Sequence, residues 1–144
     1  MNSMKKFIIQ TSILLSVVIA CQSQDLKSKD VPTVVKSALE KKYPQAKGVS
    51  WEKEKGNYEA NWGGKSGEDH SAQFTPSGGF LEIVNAIPVS ELPKSVISYV
   101  HDHYKATPTE AGRVTDAHGK FSYEAEVHGK DIIFDEKGNF VKAE

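Results

Sequence analysis

Five carboxylates, Glu52, Glu54, Glu59, Glu124 and Glu126, alternate along the chain with Trp51, Tyr58, Ala60, Tyr123, Ala125 and Val127. Side chains on a strand point to opposite faces in turn. The acids and Asn61 therefore share one face, and the aromatic and apolar residues share the other. Such an acidic face can recognise a basic partner or a cation. It can equally be the solvated side of a half-buried sheet, which alternation alone produces. Recognition by charge would be steered electrostatically and would weaken with salt. A pair such as Glu59 and Glu124 could do acid–base work only in a desolvated cleft that separates the two pKa values. Nothing in the sequence implies one.

Other reactive constellations are poorly supported. His101 and His103 lie two residues apart on a helical stretch, so they point about 200° apart and cannot face one ligand. His118 and His128 fall in turns and His70 near a strand start, so no metal site is expected. Gly64-Lys65-Ser66 resembles the end of a phosphate-binding loop, but Glu59 stands where its first glycine should be and no helix pattern follows. There is no Gly-x-Ser-x-Gly elbow, and Cys21 is the only cysteine. The expectation is a non-enzymatic protein without a cofactor.

The cysteine has another use. Met1 to Lys6 is a basic start, and Phe7 to Ala20 is an apolar run too short for a bilayer, which needs about 20 residues. Residues 1–20 therefore read as a secretory signal. Val18-Ile19-Ala20-Cys21 resembles the lipobox of bacterial lipoproteins, which makes Cys21 the acylated mature N-terminus and the attachment to a membrane. Removing residues 1–20 takes away Lys5 and Lys6 and leaves a net charge of −3. No basic stripe suggests nucleic acid. Residues 21–30 are polar and lack apolar periodicity, so they read as a lipidated tether.

The rest of the chain is written twice, as units 31–86 and 87–144. Val31, Pro32, Val35, Leu39 and Tyr43 recur at one fixed offset as Leu92, Pro93, Val96, Val100 and Tyr104. Tyr58-Glu59-Ala60 recurs as Tyr123-Glu124-Ala125, and Phe74-x-x-x-Gly78-x-Phe80 as Phe134-x-x-x-Gly138-x-Phe140. A long fixed period marks two copies of one supersecondary unit. Each copy opens with helical spacing and then switches to a period of two, broken by glycine-rich turns. One helix over about four short strands would be marginal alone. The predicted architecture is α+β: two tandem helix-plus-antiparallel-strand repeats forming one sheet of about eight strands, with both helices on one face. Trp51 and Trp62 have core parity, although Trp62 borders a glycine loop that could leave it partly exposed.

These motifs, with Tyr43-Pro44, Trp51-Glu52-Lys53-Glu54 and Phe134-Asp135-x-x-Gly138, carry a resemblance to the PepSY-like, β-lactamase-inhibitor-like family of small secreted proteins and lipoproteins of Bacteroidetes. The resemblance spans nearly all of residues 31–144. It implies tandem helix-and-sheet units like those of the β-lactamase inhibitor protein, a location outside the cytoplasm, and no settled activity or catalytic residues. The related PepSY domain has been proposed to inhibit proteases. Lys105 departs from the pattern, standing where the first unit has Pro44. The expected function is a lipid-anchored binding module of the envelope, on the outer membrane rather than the inner, for an envelope or secreted protein. Inhibition of a secreted protease or β-lactamase is its sharpest form. A small-molecule or cation sensor and a structural envelope component are the alternatives.

Overall fold

The computed structural model describes residues 23–144. The signal segment and Cys21 lie outside the described residues. The paired helical spacings give α1 (Thr33–Lys42) and α2 (Lys94–Tyr104). Each follows a proline, Pro32 or Pro93, whose fixed φ suits a helix entrance. Their exits differ. Pro44 disfavours helical backbone at Tyr43, which sits at φ −131°. In the second unit Lys105 itself turns left-handed, at φ 53°, and ends the helix. The missing proline is thus replaced by a different stop.

After α1 come β2 (Ser50–Glu54), β3 (Asn57–Trp62), β4 (His70–Phe74) and β5 (Phe80–Ala86). After α2 come β6 (Glu110–Asp116), β7 (Phe121–Val127), β8 (Lys130–Phe134) and β9 (Phe140–Ala143). They form one antiparallel sheet in sequential order. The sheet has nine strands, one more than expected, because β1 (Gln24–Leu26) pairs with Trp51–Lys53 of β2. This corrects the reading of residues 21–30 as a tether. Backbone hydrogen bonds at a free sheet edge need no apolar pattern, and Leu26 alone packs against the first core.

Each unit has its own core beneath its helix. Val35 and Leu39 of α1 pack with Trp51, Tyr58, Ala60, Trp62, Ala72 and Phe74. Val96 and Val100 of α2 pack with Ala111, Ala125, Val127, Ile132 and Phe134. Trp62 is 4% exposed, in keeping with the core parity it shares with Trp51, and the glycine loop beside it does not open it to solvent. It is closed in by Tyr43, at a centroid distance of 5.4 Å, and by His70, at 5.3 Å. The two units are joined by the β5–β6 ladder, which pairs Glu82–Ala86 with Gly112–Asp116.

The repeated Phe-x-x-x-Gly-x-Phe motif has a mechanical meaning. In both units the register shifts just before the buried phenylalanine, at Phe74 and Phe134, and the chain then turns tightly. Asp135 accepts hydrogen bonds from the backbone N–H groups of Lys137 and Asn139, both at 2.9 Å. The turn glycine tucks under the helix entrance. A Cβ on Gly138 (φ +78°) would lie 2.2 Å from Ser95 Oγ and 3.1 Å from Pro93 Cβ, and one on Gly78 would lie 3.0 Å from the Val34 carbonyl oxygen. Gly138→Ala should therefore cost about 2 kcal/mol or more in urea denaturation, combining left-handed strain with overpacking. Gly119→Ala, where nothing lies within 4 Å of the added carbon, should cost only about 1 kcal/mol. Equal costs would show that the packing is irrelevant.

Candidate functional site

The helix-free face of the sheet is a trough of about 440 Å³. Glu52, Glu54, Glu59, Asn61, Glu124 and Glu126, the residues that alternation puts on one face, all line it. Glu68, Glu82, Glu110, Asp131 and Glu144 join them, giving ten carboxylates against one lining amine, Lys55. The added acids carried a signal in part. Glu82 stands between Leu81 and Ile83, and Asp131 before Ile132, both with outward parity. Alternation could not show that strands far apart in the sheet converge. The sheet bends far enough that Lys55, in the β2–β3 turn, donates to Glu144 beyond β9 at 2.7 Å.

The register stacks like charges directly opposite one another. Asp25 faces Glu52, and Glu52 faces Glu59. Glu82 faces Asp116 across the joint between units. Glu126 faces Glu110 on one side and Asp131 on the other. Directly opposed like charges destabilise a sheet, each pair by roughly 0.2–1 kcal/mol. An ordinary solvated face would mix signs. Partial compensation comes from neutral donors: Ser71 and Gln73 donate to Glu59, Ser23 to Glu52, and Thr109 to Glu126. Glu124 takes no hydrogen bond from a described side chain.

Protons supply the remaining compensation. Burial, with Asp131, Glu82, Glu144 and Glu59 nearby, pushes Glu124 up to about 8. Burial also raises Glu82, helped by Glu144, and Glu54, helped by Glu59. Asp131 rises by burial and by repulsion from Glu126. Glu144 alone of these is lowered, by hydrogen bonds from Lys142 and Lys55. Burial and crowding by like charge thus favour the protonated carboxyl most strongly at Glu124.

Asn61 is placed differently from the rest. It lines the trough yet is 5% exposed, a buried polar residue rather than an open surface one. The histidines remain dispersed. His70 bonds to Asn85 at 2.8 Å on the helix side of the sheet, and His103 stacks on Tyr99 at 3.9 Å on α2. Among the described residues no group of three or more His, Cys, Asp and Glu converges to hold a metal ion. No described helix is long and apolar enough to cross a membrane.

Comparison with known proteins agrees with this architecture. A periplasmic protein of Bacteroides eggerthii (assigned to that compartment as "putative" in its description) superposes with a TM-score of 0.61 at 21% identity, covering 79% of this chain and 88% of its own. A BLIP-like protein from Bacteroides fragilis superposes with a TM-score of 0.54 at 21% identity, covering 78% and 84%. At these identities the likeness shows the fold. No curated protein sequence matches the chain. The family described as "Putative beta-lactamase-inhibitor-like, PepSY-like" matches residues 17–64 and 62–142, two segments that together span most of the chain. With its duplicated helix-and-sheet plan and its match over most of the chain, this protein belongs to the PepSY-like family.

Proposed function

We propose that the protein is a lipid-anchored, non-enzymatic binding module of the bacterial envelope, and that its acidic trough grips a basic surface of a partner protein. The observation that carries this reading is the stacking of like charges in register along one face. That arrangement costs folding stability, and a cationic partner recovers it. Periplasmic and BLIP-like fold relatives support an envelope setting and a role in blocking another protein. Inhibition of a secreted hydrolase is the specific form of the proposal. Cys21 provides the attachment, in keeping with the lipobox-like residues before it.

The test is affinity capture from envelope extract with the mature chain from residue 21 carrying Cys21→Ser. It is run beside a variant with Glu52, Glu59, Glu124 and Glu126 changed to Lys. The wild-type trough should retain a partner in about 50 mM salt and release it near 500 mM, where the Debye length falls to a few ångströms. The charge-reversed chain should retain none. Any captured hydrolase is then assayed for inhibition. Retention indifferent to both salt and charge reversal would move the binding face elsewhere.

A further inference from the structure

We propose, resting on the reading of the trough as a partner-binding face, that its occupant is a lysine side chain on an extended segment of the partner. Its ammonium would sit among Glu59, Glu82 and Glu124, and its methylenes over Val84, Ala86 and Gly112.

Four features point to this group. Asn61 is 95% buried, lines the trough, and its side-chain amide takes no hydrogen bond from a described residue. No buried side-chain nitrogen or oxygen among the described residues lacks a partner, so the polar atoms of this amide open onto the trough, where they are available to a polar group that enters. Second, the floor at the joint between the units is apolar, made of Val84, Ala86 and Gly112, while the surrounding wall is carboxylate. An apolar floor below an acidic wall matches the two parts of a lysine, an aliphatic stem and a charged head. Gly112 keeps that floor low, because a Cβ there would lie 2.6 Å from Val84 Cγ1. Third, Glu59, Glu82 and Glu124 come from three strands, which suits the three donors of a compact ammonium better than the planar fork of a guanidinium. Finally, the chain already seats one ammonium of its own at the mouth, where Lys55 meets Glu144 at 2.7 Å and Glu54 at 3.7 Å. A space of about 440 Å³ admits a few side chains and no folded element.

Occupancy is linked to protons through Glu124. Facing it are Gly112 and, two pairs along the ladder, Glu110 of β6, Asp131 of β8, Glu82 of β5 and Glu59 of β3, with Lys142 of β9 and Glu144 beyond it. Free Glu124 is mostly protonated at pH 7, and an ammonium beside it favours the ionised form. Binding at pH 7 therefore expels a proton. Affinity should rise about tenfold from pH 7 to pH 9, as the ionised fraction of Glu124 rises, while lysine stays charged.

The experiment is calorimetric titration of the mature Cys21→Ser chain with a capped Gly-Lys-Gly-Lys-Gly peptide, its lysine-acetylated twin, and spermidine. The lysine peptide should bind about tenfold more tightly at pH 9 than at pH 7. The acetylated twin should bind at least tenfold more weakly. Glu124→Gln, nearly isosteric, should remove the pH dependence, and Asn61→Ser, with its fold checked by circular dichroism, should weaken binding roughly fivefold. Equal binding of the acetylated peptide, or a pH slope unchanged in Glu124→Gln, overturns the proposal. Binding of spermidine without the peptide overturns the protein origin of the amine. Partner capture that is lost on charge reversal, with no peptide binding, sinks the lysine assignment and leaves the trough as a binding face. Capture indifferent to charge reversal sinks the face itself.

Discussion

Urea denaturation of the mature chain should show stability falling as pH rises from 5 to 9, opposite to the usual course for carboxylate-rich proteins. Folding lifts Glu124 from an ordinary value of 4.5 to about 8, so across that window the folded chain holds a proton that the unfolded chain has released. Stability then declines with pH between those values. The contribution is complete below the unfolded pKa and gone once pH passes the folded one. The full span is on the order of 4 kcal/mol, a large share of the stability of a domain of this size. The raised values of Glu54, Glu82 and Asp131 act in the same sense. The lowered values of Glu144 and Asp135 act oppositely, at more acid pH. Glu124→Gln should gain on the order of 4 kcal/mol over the wild type at pH 9 and nothing at pH 4. Parallel pH profiles for the two chains would show that Glu124 is not desolvated.

Phe134→Ala should cost about 3–5 kcal/mol, since the ring is 0% exposed and packs edge-on against Tyr99 at 5.4 Å. Its counterpart Phe74, also 0% exposed, should cost a similar amount. Where the loss is felt is more telling than its size. Each unit alone is near the lower limit for an independent domain, and the two are joined by the continuous β5–β6 ladder. Damage to the second core should therefore lower a single transition. Native-state hydrogen exchange should show the amides of β3 losing protection together with those of β7. Persistent protection in β3 while β7 opens would mean that the two units fold separately.

The duplication and the two faces of the sheet were legible because they are one-dimensional. Val35 and Val96 repeat at a fixed offset, and Glu59 and Glu124 hold the parity that sets them across from Tyr58 and Tyr123. Curvature leaves no such trace. The meeting of Lys55 with Glu144, 89 residues apart, depends on bend and twist accumulated over many strands, so the convergence of Glu82, Asp131 and Glu144 on the same trough was invisible. Asn61 was readable as a member of the face but not as a buried one, because parity gives direction and not depth. Gln24-Asp25-Leu26 escaped because an edge strand is held by its backbone, and its side chains need no pattern.

That first strand also changes the protein's reach. With β1 fixed in the sheet from Gln24, only three residues' length of chain separates it from the acylation position at Cys21. Fully extended, this spans roughly 11 Å, where a free ten-residue leash would allow about three times as much. With Cys21 acylated as proposed, the domain would lie close against the lipid headgroups, β1 edge lowermost, with little freedom to swing. A soluble target would have to come down to the bilayer to be caught. A target already resident at that surface would meet the trough within a thin layer, at a high local concentration set by confinement.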